Sequence, residues 1–205
     1  MELFIQRFLR KIFERRVTLM KYLVLLAGCG LGDGSCIEEV ILTYTILDKY
    51  HCDYTPVAEN STASSINHIT EQPDGTRNVL TEAARIGRGK IQDLKCIPFH
   101  EYDALIIPGG LGLFVNYRKS APVKACVEYF LAQKKPIATM CAGIDFLRMI
   151  LNSELLQEEI KELSARDFCC DRNRNIFYTP AFRKTGNCYE IIHGIDAMIA
   201  AINMR

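Results

Sequence analysis

The sequence predicts a doubly wound, mostly parallel α/β sheet with a cysteine at its ligand-binding edge. Three observations predict it. Tyr22–Ala27, Ala104–Ile107 and Ile137–Met140 are short, continuous apolar runs of the kind buried on both faces of a parallel sheet. Each runs into a tight turn, at Gly28-Cys29-Gly30, Pro108-Gly109-Gly110 and Cys141-Ala142-Gly143. Segments of helical period lie between them, and strands alternating with helices build parallel βαβ units.

Composition narrows the classes. A chain of 205 residues that is 49% hydrophobic is long enough for one domain with a two-sided core. A formal net charge of +1 sets up no global field that would draw nucleic acid. The nine cysteines are odd in number, form no C-x-x-C pair and follow no secretory signal, which reads as free thiols in a reducing compartment. Neither Cys169-Cys170 with Cys188 nor the scattered histidines have zinc-ligand spacing, so no metal is expected. No apolar run reaches the roughly 18 residues of a membrane span.

Residues 1–19 differ from the rest. Phe4, Ile5, Phe8, Leu9, Ile12 and Phe13 recur at helical spacing opposite Arg7, Arg10, Lys11, Arg15 and Arg16, a basic amphipathic helix. It reads as a mitochondrial presequence, a surface or membrane-interface helix, or a dispensable extension before a start at Met20. Glu2, Glu14 and the lack of serine count against a transit peptide. The expectation is an extension over 1–19, one domain over 20–205, and a cytoplasmic protein, or a mitochondrial one if the extension is a presequence.

The first strand leads into Gly28–Ser35, which fails the dinucleotide fingerprint: the third glycine of G-x-G-x-x-G would fall at Asp33, Ser35 or Ile37. These glycines instead let the backbone pass close to a site at the strand's carboxyl end. A helix from about Ser35 carries Ile37, Val40, Ile41, Tyr44 and Leu47 as its apolar stripe, with Glu38 and Glu39 in its first turn. Asp53–Ala58 is a second strand. Asn60–Gly75 is polar and turn-rich, a lid or binding loop bearing His68, and Thr76–Arg85 a helix. Pro108-Gly109-Gly110 leaves backbone N–H groups to face a developing negative charge.

Val123–Gln133 is helical and feeds the Cys141 strand. Beyond it, Ile144 to Leu163 suggest one or two helices, with Asn152 or Ser153 capping the second. Phe168–Cys170 and Ile176–Thr179 are short strands, and Tyr189–Ile202 a closing helix. Cys141 is therefore at the apex of a strand–turn–helix elbow, where small neighbours lift its side chain clear of the sheet. The helix N-terminus behind it should stabilise a thiolate and lower the thiol pKa. The alternative is a buried structural cysteine.

From Met20 onward the chain resembles the ElbB-type proteins of the PfpI/ThiJ branch, within the class I glutamine amidotransferase-like superfamily. The resemblance is carried by Ala27-Gly-Cys-Gly with Asp33-Gly-Ser35, Ile66-Asn-His-Ile-Thr70, Thr76–Leu80 with Glu82–Arg85, Asp103–Gly110 with Asn116, Met140-Cys141, Thr179-Pro-Ala181 and Gly194-Ile-Asp196. It implies a flavodoxin-like sandwich and a glutamate touching the cysteine sulfur. Carried across, the catalytic residues are Cys141, Glu39 (with Glu38 as fallback) and His68. Gly110 and Ala142 form the oxyanion pocket, with Gly109 and Asn116 completing the substrate-binding set. Relatives have Gly-Ser-Glu where this chain has Gly34-Ser35-Cys36, which places a second thiol near the site.

Two departures restrict the chemistry. Ala142 stands where the PfpI proteases have a histidine after the cysteine, and His193-Gly194-Ile195 is not the late His-x-Glu of glutaminases. The segment from Cys141 to Thr179 is also shorter than in ElbB relatives. What the resemblance implies is glutathione-independent glyoxalase or deglycase chemistry on glyoxal and methylglyoxal through a Cys141 hemithioacetal, with a small-molecule aldehyde as partner, no cofactor, and a homodimer. The alternative is a redox or carbonyl-stress sensor that uses the same cysteine.

Overall fold

The computed structural model describes residues 19–205, so the amphipathic extension, apart from Leu19, lies outside the described residues. Strand β1 (Lys21–Leu25) is followed by helix α1 (Ile37–Lys49), strand β2 (Asp53–Ala58) and a hairpin of β3 (Thr62–Ile66) and β4 (Pro73–Asn78). Helix α2 (Val79–Ile86), the two-residue strand β5 (Gln92–Asp93), β6 (Ala104–Ile107) and helices α3 (Gly112–Tyr117) and α4 (Ala121–Ala132) come next. The elbow joins β7 (Ile137–Met140) to α5 (Gly143–Leu151); β8 (Cys169–Asp171), β9 (Ile176–Thr179) and α6 (Cys188–Asn203) close the chain.

Seven strands form one sheet in the order β5-β2-β1-β6-β7-β9-β8. All pairs are parallel except β8 with β9, an antiparallel edge. Chain direction reverses at β1, since β2 lies on one side of it and β6 on the other. Right-handed crossovers then put α1 on one face and α4 and α5 on the opposite one. The crevice at such a reversal, beyond the strands' carboxyl ends, is where open α/β sheets hold ligands. The glycine turn after β1, the Pro-Gly-Gly turn after β6 and Cys141 after β7 all lie at that end.

The core forms where the apolar runs predicted it: β1, β6 and β7 are buried along their lengths, Lys21 of β1 excepted. Burying such runs on both faces supplies most of the drive to fold. Helix α1 packs on α6, where Asp196 accepts from Lys49 (2.5 Å) and from the Tyr50 hydroxyl (2.7 Å).

Two expectations need correction. Ile37 and Ile41 do not face the core; they are 42% and 45% exposed, and the inward face of α1 carries Glu39, Val40, Thr43, Tyr44, Ile46 and Leu47. A stripe phased on the isoleucines misses the packed face, which includes a glutamate. Thr76–Asn78 is not helical but pairs antiparallel with Thr62–Ser64, so the long excursion is a two-stranded hairpin. Asn78 then caps α2, its side chain accepting from the Thr81 N–H. Of the one or two helices expected from Ile144 to Leu163, one forms: α5 ends at Asn152 in the left-handed region (φ 46°), and no second α-helix occurs before β8.

Candidate active site

Cys141 sits at φ 48°, a backbone conformation rare for any residue but glycine. The elbow imposes it. The Cys141 N–H still completes the ladder by donating to Thr179 O of β9 (3.3 Å), so the chain turns only after that bond and lifts the side chain above the strand ends. Helix α5 begins directly behind with no side-chain cap, and the Ala142 N–H faces the sulfur.

Glu39 reaches the sulfur from α1. It is 0% exposed, and its Oε2 accepts the Gly109 N–H at 2.7 Å. Oε1 has no aligned hydrogen-bond partner, although the Cys141 thiol and the Phe182 N–H lie close enough to favour its charged form. Burial outweighs them and pushes the carboxyl up to about 7. Glu38, on the exposed side of the same turn, accepts from the Cys36 thiol at 3.3 Å instead. The backbone periodicity of α1 thus turns Glu39 and not Glu38 toward the cysteine.

The expected fall in the thiol pKa is overturned. Burial, and then the charge of Glu39, push Cys141 up to about 12, against the opposing effects of the Ala142 N–H and Arg183. The helix N-terminus is present, but a buried sulfur beside a carboxylate loses more from desolvation and repulsion than it gains from one N–H. Cys36 is buried too, its N–H on Gly109 O (2.9 Å) and its thiol raised above the usual range by burial.

Gly109 and Gly110 shape the pocket wall. A Cβ on Gly109 would lie 2.6 Å from Glu39 Oε2 and 2.9 Å from Cys141 Cβ. Gly110 has φ 122°, and a Cβ there would lie 2.3 Å from Gly34 O. Only glycine lets this turn pass so close to both the carboxyl and the first glycine loop. The Gly109 N–H is engaged by Glu39, whereas the Gly110 N–H donates to no group among the described residues.

The remaining candidates sit farther out. Asn116 donates both amide hydrogens, to Ala27 O (2.7 Å) and Asp33 O (2.8 Å), which pins the glycine loop. His68 lies on the β3–β4 turn, half exposed, with Gly32 N–H at 3.3 Å and Asp33 Oδ1 at 3.6 Å from its Nε2. The structure does not bring it into hydrogen-bond contact with Cys141 or Glu39. Sequence reasoning missed two groups that the structure brings to this corner, the Phe182 N–H, which acts on Glu39, and Arg183, whose guanidinium pairs with Asp145 in the first turn of α5 and whose charge is felt at Cys141. The signal was there in Thr179-Pro180-Ala181, which aligns with the elbow once β9 pairs with β7.

A family model described as the DJ-1/PfpI family matches residues 38–158. The chain belongs to that family. DJ-1/PfpI proteins include cysteine-dependent enzymes, deglycases and glyoxalases among them. The human protein named glutamine amidotransferase-like class 1 domain-containing protein 3, mitochondrial, is 29% identical over 87% of this chain and 81% of its own length. The rat ES1 protein homolog, mitochondrial, is 28% identical over the same shares. Among solved structures, an isoprenoid biosynthesis protein with amidotransferase-like domain from Ehrlichia chaffeensis superposes with a TM-score of 0.80 at 28% identity, covering 89% of this chain and 98% of that one. Drosophila melanogaster DJ-1beta shares the DJ-1/PfpI fold at a TM-score of 0.54 and 15% identity, over 85% of this chain and 87% of its own.

Proposed function

We propose that the chain is an ElbB-type, cysteine-dependent enzyme with glyoxalase or deglycase chemistry on small reactive aldehydes, independent of glutathione. The observation that carries this is Glu39: a fully buried carboxyl beside the Cys141 thiol, with one oxygen unpaired and a pKa near 7. A group so tuned takes up and returns protons at neutral pH, where a free glutamate could not.

In this reading the thiol stays protonated until substrate arrives. Sulfur attacks the aldehyde carbon of a 2-oxoaldehyde as its proton passes to Glu39 Oε1, and the carbonyl electron pair moves onto oxygen. The N–H groups of Gly110 and Ala142 receive that oxyanion. Proton transfer from C1 to C2 through an enediol, relayed by Glu39, turns the hemithioacetal into a thioester. Water then releases the 2-hydroxy acid and regenerates the thiol. The sum is oxoaldehyde plus water to hydroxy acid, with no external oxidant or reductant.

Gly109 and Asn116 act as positioning residues, one holding the carboxyl and the other the glycine loop. His68 is the further acid/base candidate, acting from the hairpin across bound substrate. Peptidase and glutaminase activity are disfavoured, since Ala142 supplies no imidazole and His193 stacks edge-on against Tyr189 at 4.7 Å between ring centroids. The relatives named as mitochondrial favour that compartment over the cytoplasm, with residues 1–19 as presequence. We also propose a homodimer, for which the exposed Leu31, Leu111 and Val115 beside the glycine turns offer an apolar surface.

The test is steady-state consumption of glyoxal and methylglyoxal with the acid product identified. Cys141→Ala should abolish turnover, and Glu39→Gln should lower kcat by roughly 10²- to 10⁴-fold, the usual worth of a positioned acid/base. If Glu39→Gln keeps full activity, the proton relay is wrong. The raised thiol pKa counts against the sensor reading, because modification without an adjacent base needs the thiolate; a wild type that reacts once with aldehyde and stops would favour it.

A further inference from the structure

The turn that follows β9 contains a second strained residue. Thr179 is in register with Met140, so residues 180–183 run directly past Cys141. Ala181 has φ 49° and is completely buried, an uncommon state for a residue with a Cβ. It opens a single 3₁₀ turn, Ala181–Arg183, closed by Arg183 N–H on Pro180 O (3.1 Å). The strained turn aims the Phe182 N–H at Glu39, and it brings the Arg183 side chain back over the first turn of α5, where the guanidinium pairs with Asp145.

Asp145 serves two partners in this corner, for Arg148 Nη1 also donates to it at 2.9 Å. Arg148 is satisfied further by Leu155 O, to which its Nε donates at 3.0 Å. Two guanidinium groups therefore share one carboxylate. Of the two, Arg183 has donors to spare. Its side chain is 35% exposed, only its Nη2 is engaged by the protein among the described residues, and its field reaches the Cys141 sulfur. Guanidinium donors left free one helical turn from a reactive cysteine are what bind a carboxylate or phosphate in two-point fashion.

We propose that Arg183 determines specificity at this site, and that the substrates are oxoaldehydes bearing a carboxylate or phosphate on the side away from the reacting aldehyde. Neutral methylglyoxal is then a poor mimic of them. The inference rests on the aldehyde chemistry proposed for Cys141. In the complex the anionic tail meets the Arg183 guanidinium, the aldehyde carbon meets the Cys141 sulfur, and the developing oxyanion faces Gly110 and Ala142.

Two measurements separate this inference from the one beneath it. The first needs no turnover: alkylation of Cys141 by iodoacetate, an anion, against iodoacetamide, its neutral analogue, followed on the Cys141 peptide by mass spectrometry. Both reagents consume the same thiolate, so any change in thiol pKa cancels in the ratio of rates. Arg183→Gln should lower the iodoacetate-to-iodoacetamide ratio about tenfold, equivalent to one charge-assisted contact of about 1.4 kcal/mol. Arg183→Lys, which keeps charge without the fork, should fall between; the position is part exposed, so neither variant opens the core. A ratio unmoved by Arg183→Gln overturns the proposal.

The second compares kcat/KM for 4,5-dioxovalerate, a 2-oxoaldehyde with a terminal carboxylate, with that for methylglyoxal. Wild type should favour the acid about tenfold, and Arg183→Gln should erase the preference mainly through KM. If both compounds are turned over without preference, the aldehyde chemistry stands and Arg183 is not its selector. If neither is turned over and the alkylation ratio still falls, the aldehyde chemistry fails while Arg183 remains an anion-recognising group beside the cysteine.

Discussion

Glu39 shows how much one buried carboxyl contributes. In the unfolded chain it releases its proton near 4.5, in the folded protein near 7. Between those pH values the folded state holds more protons, so stability falls as pH rises through the window, and above pH 7 the whole cost of about 3 kcal/mol is present. Glu39→Gln removes the charge but keeps an oxygen for the Gly109 N–H. We expect it to unfold at a higher temperature than wild type at pH 8 and at nearly the same temperature at pH 4; thermal melts at the two pH values decide it. The same ionisation should appear as a rising limb near pH 7 in the wild-type kcat/KM profile. Gly109→Ala tests the neighbouring contact: its methyl would press on both Glu39 Oε2 and Cys141 Cβ, costing about 1–3 kcal/mol in urea unfolding and far more in turnover.

At the scale of elements, the hairpin of β3 and β4 stands apart from the main sheet. It is tied to the glycine loop by the Ile66 N–H on Asp33 Oδ2 (2.9 Å) and by His68. Most β4 side chains are exposed, so the hairpin has little apolar surface of its own to hold it. Asp33→Ala removes a charge-assisted bond, and hydrogen exchange should then quicken about tenfold in the hairpin amides while β1, β6 and β7 stay protected. This is also where the sequence was least legible. Apolar runs exposed β1, β6 and β7 because strands buried on both faces have no other composition available to them. Thr76-Arg77-Asn78 had no such constraint: paired only to another hairpin strand and facing solvent, it carries no alternation to read. Helix α1 was legible as a helix but not in phase, because its inner face spends a position on Glu39 for chemistry rather than packing. Cys141, Gly110 and Glu39 could be found from turn geometry and family likeness. Arg183 could not, since nothing local marks it before β9 is laid beside β7.

Over the whole molecule, distant parts of the chain close on one another at the far face. Asp196 of α6 joins Lys49 and Tyr50 at the end of α1, and the Tyr22 hydroxyl of β1 donates to Asn203 Oδ1 (2.6 Å). Because these links are part exposed, Asp196→Ala should cost only about 1 kcal/mol in denaturant unfolding, with kcat little changed. The order of the sheet has another consequence. Strand β7, with the cysteine at its tip, borders β6 on one side and β9 on the other, and β9 is the last strand to be synthesised. Ribosomes add about 5–20 residues per second, so for some seconds the newborn protein shows a bare, mostly apolar β7 edge with an unshielded thiol beside it. The danger to this protein from aldehydes, oxidants and neighbouring chains is therefore greatest while it is being made. A chaperone that holds the nascent chain until Thr179 docks would protect the fold and the cysteine together.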